Sequence, residues 1–473
     1  NAIADERGMS DHAGISLALA EEVVGFGADR LSSEDHEQLK RLLIDYAAVT
    51  LCGSVQPWGR TLTEWAGAHG ADGKVLLIGS GKRAGANAAA MVNGTSAHGY
   101  ELDDTHDKSM SHPGAVVITA ALAAGTEMGS SGKDLLSAIV MGYEVMTRVG
   151  MAANSLGVIS RGFHPTATFG VFGAAAAAGK MYGLDASGIA QAWGIALSMS
   201  SGACQFAFEP KGTMVKRMHA GIPAHNGVIA AQLARLGLAA PVQALEGNYG
   251  FFKLFGVDAD PSLLTKAADA PFEIHDISMK PYSCCRKFHS LIDALEQVTD
   301  GFSIPVEEIE GITVRAPNTA IESHMMRRPD SVMAAQYSMP YIVGATLAYG
   351  PRRYDAYGSD HHEDQKILSI VDQVQAQPDA ELNSLVPAKM ATSVELNLRG
   401  GSSRQAKVLD SLGTPVRPMS TIEVESKAQA LLAPIEVDAK GISDAVEGLG
   451  KANSIAEFAD ALVVPGYDRV QAA

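Results

Sequence analysis

The chain has 473 residues, of which 47% are hydrophobic and 19% are charged, and its formal net charge is −16. This composition excludes disorder as the main state and supplies enough apolar surface for a large core. The acidic balance argues against general nucleic-acid binding, which requires a basic face. It does not exclude an anionic ligand, because an acidic protein can hold a locally basic pocket.

The cysteine content favours a reducing compartment. The four cysteines are Cys52, Cys204, Cys284 and Cys285, and they form no C-x-x-C pair. This set is too sparse for a disulfide scaffold, a zinc ribbon or an iron–sulfur cluster. We therefore expect a cytoplasmic protein, with no secretory signal and no apolar run near the roughly 20 residues of a membrane span.

The first half of the chain has a helical pattern. A polar Ser-Ser-Glu-Asp segment at 32–35 can cap a helix over 39–51, whose apolar residues share one face. Further helices rich in Ala and Gly are predicted, with glycines as stops between them. They cover 86–97, 115–128, 132–151, 166–182, 187–200 and 222–236.

The pattern changes after about residue 272. Alternating apolar residues predict strands over 310–316 and 393–399, and Gly400-Gly401 predicts a hairpin into 404–409. Helices are predicted between the strands, over 288–299, 331–349 and 364–375, and again near the end, over 420–432 and 454–462. The chain is therefore predicted to be mainly α, with an α+β segment inserted in a helical protein.

The first candidate for chemistry is the acidic segment that leads into the helix at residue 115. It contains Glu101, Asp103, Asp104 and Thr105, and His112 follows just before a Pro-Gly pair. Carboxylates and imidazoles at this density suit an acid/base site or a metal site. A solvated loop that caps the next helix is the alternative.

Two more segments carry groups that can transfer protons. His164 precedes a Gly/Ala-rich helix, and it is either a proton shuttle near neutral pH or a structural cap. Lys216, Arg217 and His219 lie in a mostly apolar setting, where burial can lower the pKa of a lysine toward about 7–8. The alternative is a charge pair at the surface.

The segment 280–289 lies where the helical and α+β parts meet, and such junctions often form pockets. It contains Lys280, Cys285, Arg286 and His289. Its cations match a ligand with several carboxylates, whereas a basic hinge with two structural thiols is the alternative. Redox use of the adjacent cysteines is disfavoured because vicinal disulfides are strained.

Two other segments are not expected to form sites. Residues 79–85, GSGKRAG, resemble a phosphate loop but match the spacing of neither G-x-x-x-x-G-K-[ST] nor G-x-G-x-x-G. Residues 361–364, HHED, are expected in an exposed loop. We therefore expect no nucleotide cofactor, and the sequence shows no ligand set with recognisable metal spacing.

Taken in order, several stretches resemble the MmgE/PrpD family, which holds 2-methylcitrate dehydratase, cis-aconitate decarboxylase and iminodisuccinate epimerase. They cover most of the chain. The stretches are GYELDDTHDKSMSHPGAVVITAALA (99–123), GFHPTATFGVFGAAAAAG (162–179), KRMHAGIPAHNGVIAAQLARLG (216–237), LEGNYGFF (245–252), KPYSCCRKFHSLIDAL (280–295), YSMPYIVGATL (337–347) and GTPVRPMS (413–420).

The resemblance implies a large all-helical domain built from both chain ends, residues 10–272 and 413–473, and a smaller α+β domain, residues 273–412. It also implies a homodimer and an active site between the domains without metal or cofactor. On this basis, catalytic roles fall on Asp103, His112, His164 and Lys216, and substrate binding falls on Asp104, Thr105, Lys280, Cys285, Arg286 and His289.

We therefore expect a metal-independent lyase that abstracts a proton α to a carboxylate of a small di- or tricarboxylic acid. Cations such as Lys280 and Arg286 would stabilise the dianionic intermediate. Lys216 or His112 is the candidate base, and His164 the candidate acid. Dehydration of a 2-methylcitrate-like substrate is expected; cis-aconitate decarboxylation and epimerisation of an amino-dicarboxylate are the alternatives.

The sequence departs from the decarboxylase branch of the family at several places. Cys285 stands where that branch has a histidine, and Glu101 stands where it has an aspartate. The spacing from Thr105 to His112 is one residue longer, and a tyrosine that precedes an Arg-Pro pair in that branch is absent near residues 325–326. These departures favour dehydration over decarboxylation.

Overall fold

The structure is a computed structural model that describes residues 14–209, 213–386 and 388–470. Helices dominate it, so the predicted mainly α class is confirmed. The helices of the first part are α1 (Ile15–Gly25), α2 (Ser33–Ser54), α3 (Pro57–His69), α4 (Ala86–Ala97), α5 (Pro113–Met128), α6 (Gly132–Ala152), α7 (Ser155–Ser160), α8 (Pro165–Met181), α9 (Ala186–Leu197), α10 (Met218–Arg235) and α11 (Phe251–Leu254).

A four-stranded sheet lies in the second part. Its strands are β5 (Ile309–Ala316), β6 (Val374–Pro378), β7 (Thr392–Leu398) and β8 (Ser403–Val408), in the order β6-β5-β7-β8. β6 runs parallel to β5, and the other pairs are antiparallel. The helices of this part are α12 (His289–Val298), α13 (Asn318–Ile321), α14 (Val332–Gln336), α15 (Met339–Tyr349), α16 (Gln365–Val371) and α17 (Ala380–Ser384).

The last part of the chain returns to the first helices. It contains α18 (Thr421–Leu432), α19 (Ala439–Leu449) and α20 (Ala456–Asp460). α18 packs on α2, and its buried Lys427 lies 2.6 Å from Asp45 and donates a hydrogen bond to the Leu102 carbonyl. The C-terminal helices therefore support the segment that carries Asp103.

Two apolar clusters form the core. One joins buried residues of α1–α10 with those of α18–α20, and the other lies between the four-stranded sheet and helices such as α12 and α15. Small residues allow the helices of the first cluster to approach closely. A Cβ on Gly221 of α10 would lie 2.3 Å from the Met91 carbonyl oxygen of α4, so glycine is required there.

Two short strand pairs lie outside the main sheet, so the first part is not strictly all-helical. β1 (Val75–Leu76) pairs with β2 (Arg83–Ala84), and β3 (Thr105–His106) pairs with β4 (Ile277–Ser278). Pairs of two residues have no room for the alternation that marks a strand in a sequence. The second pair matters for the site, because it brings residue 280 beside residue 103.

Two predicted helices also differ from the structure. The helix predicted over 364–375 ends at Val371, because the residues from 374 pair with β5 as β6. The helix predicted over 331–349 is divided into α14 and α15. Pro340 lies in the first turn of α15, and the Ser338 side chain caps it.

Within the part of the chain that the structure describes, one helix, α6, is long and apolar enough to cross a membrane by length and composition. In the structure, 94% of its most apolar window is buried inside the protein, and α8 packs along it. The surroundings of α6 in the structure are therefore those of a helix in the core of a folded protein.

Candidate active site

Four histidines meet at the ends of packed helices. His98 follows α4, His112 and His164 precede α5 and α8, and His219 lies in the first turn of α10. These helices pack against one another, so their ends converge. A proline follows both His112 and His164, and its fixed φ suits the first helical position. We call His98, His112, His164 and His219 the imidazole group.

Two of these rings are oriented by acceptors on the acidic segment. Asp103 Oδ2 lies 2.6 Å from His98 Nδ1, and the Asp104 carbonyl oxygen lies 2.9 Å from His112 Nδ1. A carbonyl and a carboxylate accept hydrogen bonds, which assigns the hydrogen to Nδ1 and leaves a lone pair on Nε2 of each neutral ring. Thr105 Oγ1 lies 3.3 Å from the same His112 nitrogen.

The other two rings contact each other. The Nδ1 atoms of His164 and His219 are 3.1 Å apart, so one ring donates a hydrogen bond to the other. The Phe206 ring meets both imidazoles edge to face, with centroid distances of 5.6 and 5.3 Å. A proton can pass between these two histidines beneath an apolar cover.

Burial keeps the imidazole group neutral. It lowers the pKa of His98, holds the pKa of His112 and His164 well below the usual range, and lowers the pKa of His219 to about 4. The positive charge of Lys216 acts in the same direction on all of them. Neutral imidazoles can accept protons or bind metal ions.

Cations gather around Glu101 on the other side of the site. Its carboxylate accepts hydrogen bonds from Lys216, from Arg217 Nη1 at 2.5 Å and from the Tyr337 hydroxyl at 3.3 Å. Glu101 has a φ of 55°, a left-handed conformation that is uncommon for residues other than glycine. These contacts hold the backbone in that conformation. We call Lys216, Arg217 and Lys280 the cation group.

Lys280 connects the cation group to the imidazole group. Its Nζ lies 3.2 Å from Asp103 Oδ1 and 3.8 Å from Glu101, and Asp103 also contacts His98. Burial alone would lower the pKa of Lys280, but the two carboxylates raise it. Burial alone would likewise raise the pKa of both carboxyls, but the cations hold it well below the usual range. These three residues are therefore charged although they are buried.

Lys216 differs from Lys280 in its titration. Burial lowers the pKa of Lys216, and Glu101 only partly opposes this effect. Its ammonium also lies 5.5 Å from the centre of the Tyr337 ring. A buried lysine with a lowered pKa is suited to proton transfer near neutral pH.

Asp104 has the contacts of a positioning residue. It accepts hydrogen bonds from the Gly114 amide at 2.8 Å and from the Tyr143 hydroxyl at 2.5 Å, and burial raises its pKa to about 7. A Cβ at residue 114 would lie 2.7 Å from the carboxylate, so glycine is required there. Asp104 thus fixes the start of α5 and with it His112; its contact with substrate stays a prediction.

The remaining predicted site residues lie at different distances from these groups. Cys285 lies close enough to Glu101 and Lys216 to interact electrostatically, and burial raises the pKa of its thiol, which makes it a weak nucleophile. Arg286 lies at the edge, where it donates to Ser411 and Asp107.

His289 is fully buried and lies 3.2 Å from the Cys284 carbonyl oxygen, with its ring against Tyr282. Among the described residues, neither Arg286 nor His289 makes a hydrogen bond or ion pair with the imidazole group or the cation group. Their roles in substrate binding therefore stay predictions.

Sequence reasoning missed several members of the site. His98 and Tyr337 were not identified, and Glu101, Arg217 and His219 were noted without an assigned role. For His98 the available signal is its place at the end of a small-residue helix, five positions before Asp103. For Tyr337 we find no signal in the sequence, because its position depends on how the second part packs on the first.

Two sets of described residues have suitable donors for a metal ion. His98, His112 and His164 each offer a ring nitrogen, and these atoms lie within 4.8 Å of one another. His106, Glu273 and Asp276 form the second set. In that set Lys108 lies 2.5 Å from Asp276 and already supplies a cation.

Of the two described cavities, the one beside these groups is small and the large one lies elsewhere. One of about 10 Å³ borders Asp103 and Asp104. A groove of about 830 Å³ lies elsewhere, beside Lys133 and Lys180. We place the site by its converging buried charged and titratable side chains, because several ionisable residues beside the groove, such as Asp29, Lys133 and Asp134, are exposed.

Comparisons with known proteins point in one direction. The model of the MmgE/PrpD N-terminal domain matches residues 17–264, and that of the MmgE/PrpD C-terminal domain matches residues 282–450. Cis-aconitate decarboxylase of Aspergillus terreus is 27% identical over 476 residues, which cover 96% of each chain. The human cis-aconitate decarboxylase is 27% identical over 353 residues, 72% of each chain. The cis-aconitate decarboxylase-like protein oryM of Aspergillus oryzae is 29% identical over 358 residues, 71% of this chain and 74% of its own.

Proposed function

We propose that this chain, which belongs to the MmgE/PrpD family and is one of its lyases, decarboxylates cis-aconitate or a closely related unsaturated tricarboxylate. The names of its relatives favour this reaction over 2-methylcitrate dehydration, which the sequence alone led us to expect. One observation carries the proposal: the charged cation group lies beside the neutral imidazole group. Asp103 links the two groups, because it contacts both Lys280 and His98.

The cation group can hold the carboxylates. Lys216, Arg217 and Lys280 face the two carboxylates of Glu101 and Asp103, which leaves one positive charge in a buried site. Such a site attracts an anion and stabilises negative charge that develops in it. Bound carboxylates of the substrate would therefore lie beside these cations.

The reaction itself moves two electron pairs along the substrate. The bond between the methylene carbon and its carboxylate breaks and releases carbon dioxide, and its electrons form a new carbon–carbon double bond. The electrons of the original double bond move to the carbon α to another carboxylate, and that carbon takes up a proton. The product is a methylidene dicarboxylate, and the step requires a proton donor but no oxidant.

We assign the proton transfer to Lys216 or His112. Lys216 is buried beside the carboxylates, and burial lowers its pKa. His112 carries its hydrogen on Nδ1, where the Asp104 carbonyl holds it, so it can donate a proton to the substrate only after its free Nε2 has accepted one. The His164–His219 pair can relay a proton to or from this centre.

The proposal is tested by incubating the purified protein with cis-aconitate in deuterated water. We expect release of carbon dioxide and a methylidene product with one deuterium, which NMR detects. An alkene formed from 2-methylcitrate without carbon dioxide would instead show dehydration, and hydrogen exchange without net reaction would show epimerisation. Turnover should persist after prolonged treatment with a chelator.

Dehydration of a 2-methylcitrate-like acid is the second candidate. It is favoured by Cys285, which stands where the decarboxylase branch has a histidine, and by Glu101 in place of an aspartate. Both residues lie in or beside the cation group, where they would alter carboxylate binding. Comparison of kcat/KM for the two substrates decides between the candidates.

We also propose that the chain acts as a cytoplasmic homodimer of two-domain subunits. The resemblance to the family supports the dimer and the division into residues 10–272 with 413–473 and residues 273–412. The four free cysteines suit a reducing compartment. Light scattering that shows a monomer at micromolar concentration would contradict the dimer.

A further inference from the structure

We propose that His98, His112 and His164 form a binding site for Zn²⁺ or a similar imidazole-preferring divalent ion, and that the bound ion inhibits turnover. The binding site itself rests on the geometry of the three rings. The inhibition rests in addition on the proposed function, in which His112 and His164 take part in proton transfer.

The ring nitrogens are close to the arrangement that zinc requires. One nitrogen from each of the three histidines lies within 4.8 Å of the others. Zinc bonds to histidine at about 2.0–2.1 Å in tetrahedral sites, which places the ligand nitrogens roughly 3.4 Å apart. Binding requires the rings to move so that these nitrogens approach that separation. Three protein ligands would leave a fourth position for water or a carboxylate.

Two of the three rings already have the outer partner that zinc-binding histidines usually have, and the third ring contacts another imidazole. His98 Nδ1 faces the Asp103 carboxylate, His112 Nδ1 faces the Asp104 carbonyl, and His164 Nδ1 faces His219. Such partners fix the tautomer and orient the ring toward a metal. For His98 and His112 they leave Nε2 as the donor atom.

An unpartnered atom points independently to a ligand. His98 is completely buried, and its Nε2 has no hydrogen-bond partner among the described residues. A buried polar atom without a partner destabilises the protein, and a ligand would relieve this. The low pKa of all three histidines also keeps them neutral, as metal ligands must be.

The charges around the site decide which ions it accepts. Lys216 and Lys280 repel a cation, while Asp103 and Glu101 offset this repulsion. A metal must therefore gain its affinity from imidazole bonds, which favours Zn²⁺, Co²⁺, Ni²⁺ and Cu²⁺ over Mg²⁺ and Ca²⁺. Once bound, it would occupy the lone pairs of His112 and His164 that proton transfer requires.

The site is tested by adding Co²⁺ to the full-length protein and recording its visible absorption, which is intense for tetrahedral cobalt. Competition with a chelating dye then gives the zinc stoichiometry and affinity. We expect one ion per chain and binding at least about tenfold weaker in His98→Ala and His112→Ala. The control is His69→Ala, which replaces an exposed histidine at the end of α3, and it should bind as the wild type does.

Several outcomes would overturn the proposal. These are a failure to bind one ion per chain, unchanged affinity in both folded variants, or loss of binding in His106→Asn instead, which would place the ion at His106, Glu273 and Asp276. Thermal melts establish whether each variant is folded. Faster turnover in the presence of Zn²⁺ would overturn the proposal that the bound ion inhibits the protein. Because the cobalt spectrum does not require activity, metal binding by a protein that fails to decarboxylate cis-aconitate even when it is metal-free would refute the proposed function alone.

Discussion

The imidazole group and the cation group both lie largely out of solvent, yet the first is neutral and the second is charged. Burial disfavours the charged form of every ionisable side chain. In the imidazole group this effect dominates, and the pKa of each ring is lowered. Around Glu101 and Lys280 opposite charges lie within 4 Å, and they keep the carboxylate and the ammonium ionised.

This difference separates two tasks. Fixed charges bind and stabilise carboxylates, while neutral groups with accessible proton-transfer atoms exchange protons. Lys216 is the exception inside the cation group, because burial lowers its pKa although Glu101 contacts it. Lys216 is therefore suited to both carboxylate binding and proton transfer. The following predictions test whether the two groups are functionally separate.

The largest effect is expected for Lys216→Ala. If Lys216 transfers the proton, kcat should fall about 10²–10⁴-fold, which is typical for loss of a general acid or base. Steady-state kinetics with cis-aconitate would measure this, beside a thermal melt. The matched control is Lys133→Ala, an exposed lysine on α6. A near-normal kcat, or loss of activity by unfolding alone, would contradict the assignment.

A smaller and different effect is expected for Lys280→Ala. Lys280 stays charged and contacts Asp103, so its proposed role is to hold a carboxylate of the substrate in both the ground state and the transition state. Loss of such a contact should raise KM about 10–100-fold with a smaller change in kcat. If kcat falls as far as in Lys216→Ala, the separation of the two tasks fails. Lys280→Arg is a further test, because a forked guanidinium differs from a point charge.

Glu101→Gln should shift a pH profile more than it lowers the maximal rate. Glu101 raises the pKa of Lys216 against the effect of burial, so its removal should lower that pKa further. If protonated Lys216 is the donor, the alkaline loss of kcat should then begin at lower pH, with a maximal rate reduced roughly tenfold. Glu101→Asp, which retains the charge, should restore most of the wild-type profile. An unchanged profile would show that Glu101 does not control Lys216.

Much of this arrangement could be predicted from the sequence, and the rest could not for physical reasons. The helices around the site follow from their caps and periodicity; Ala86–Ala97 was predicted with its observed bounds, and the β7–β8 hairpin followed from Gly400-Gly401. Lys280 could be assigned through the resemblance to the family. Its contact with Asp103 depends on the two-residue pairing of β3 with β4, which leaves no periodic pattern.

The charge states of the site residues were even harder to predict from the sequence. A sequence does not reveal that Glu101 is 2% exposed and contacts Lys216, or that the rings of His164 and His219 face each other. Burial and long-range partners fix these pKa values, and both arise only when the chain is folded. His219 therefore looked like part of a possible surface segment.

The smallest effect is expected in the stability of the imidazole group at acid pH. Burial lowers the pKa of His219 from 6.5 to about 4 in the folded state. Between these values the unfolded chain binds a proton at this residue and the folded chain does not, so stability falls as the pH decreases through this range. His219→Gln removes that contribution while a side-chain amide can still bond to His164. The decrease in Tm from pH 7 to pH 5 should therefore be smaller in His219→Gln than in the wild type.

The control for this experiment is His69→Gln, which changes an exposed histidine at the end of α3. It should reproduce the wild-type dependence of Tm on pH. Since carboxyl groups titrate in the same range, only the difference between the variants and the wild type reports on His219. An equal decrease in Tm for wild type and His219→Gln would mean that His219 is protonated in the folded protein. The imidazole group would then carry charge, as the cation group does, and the separation between the two groups would not hold at this residue.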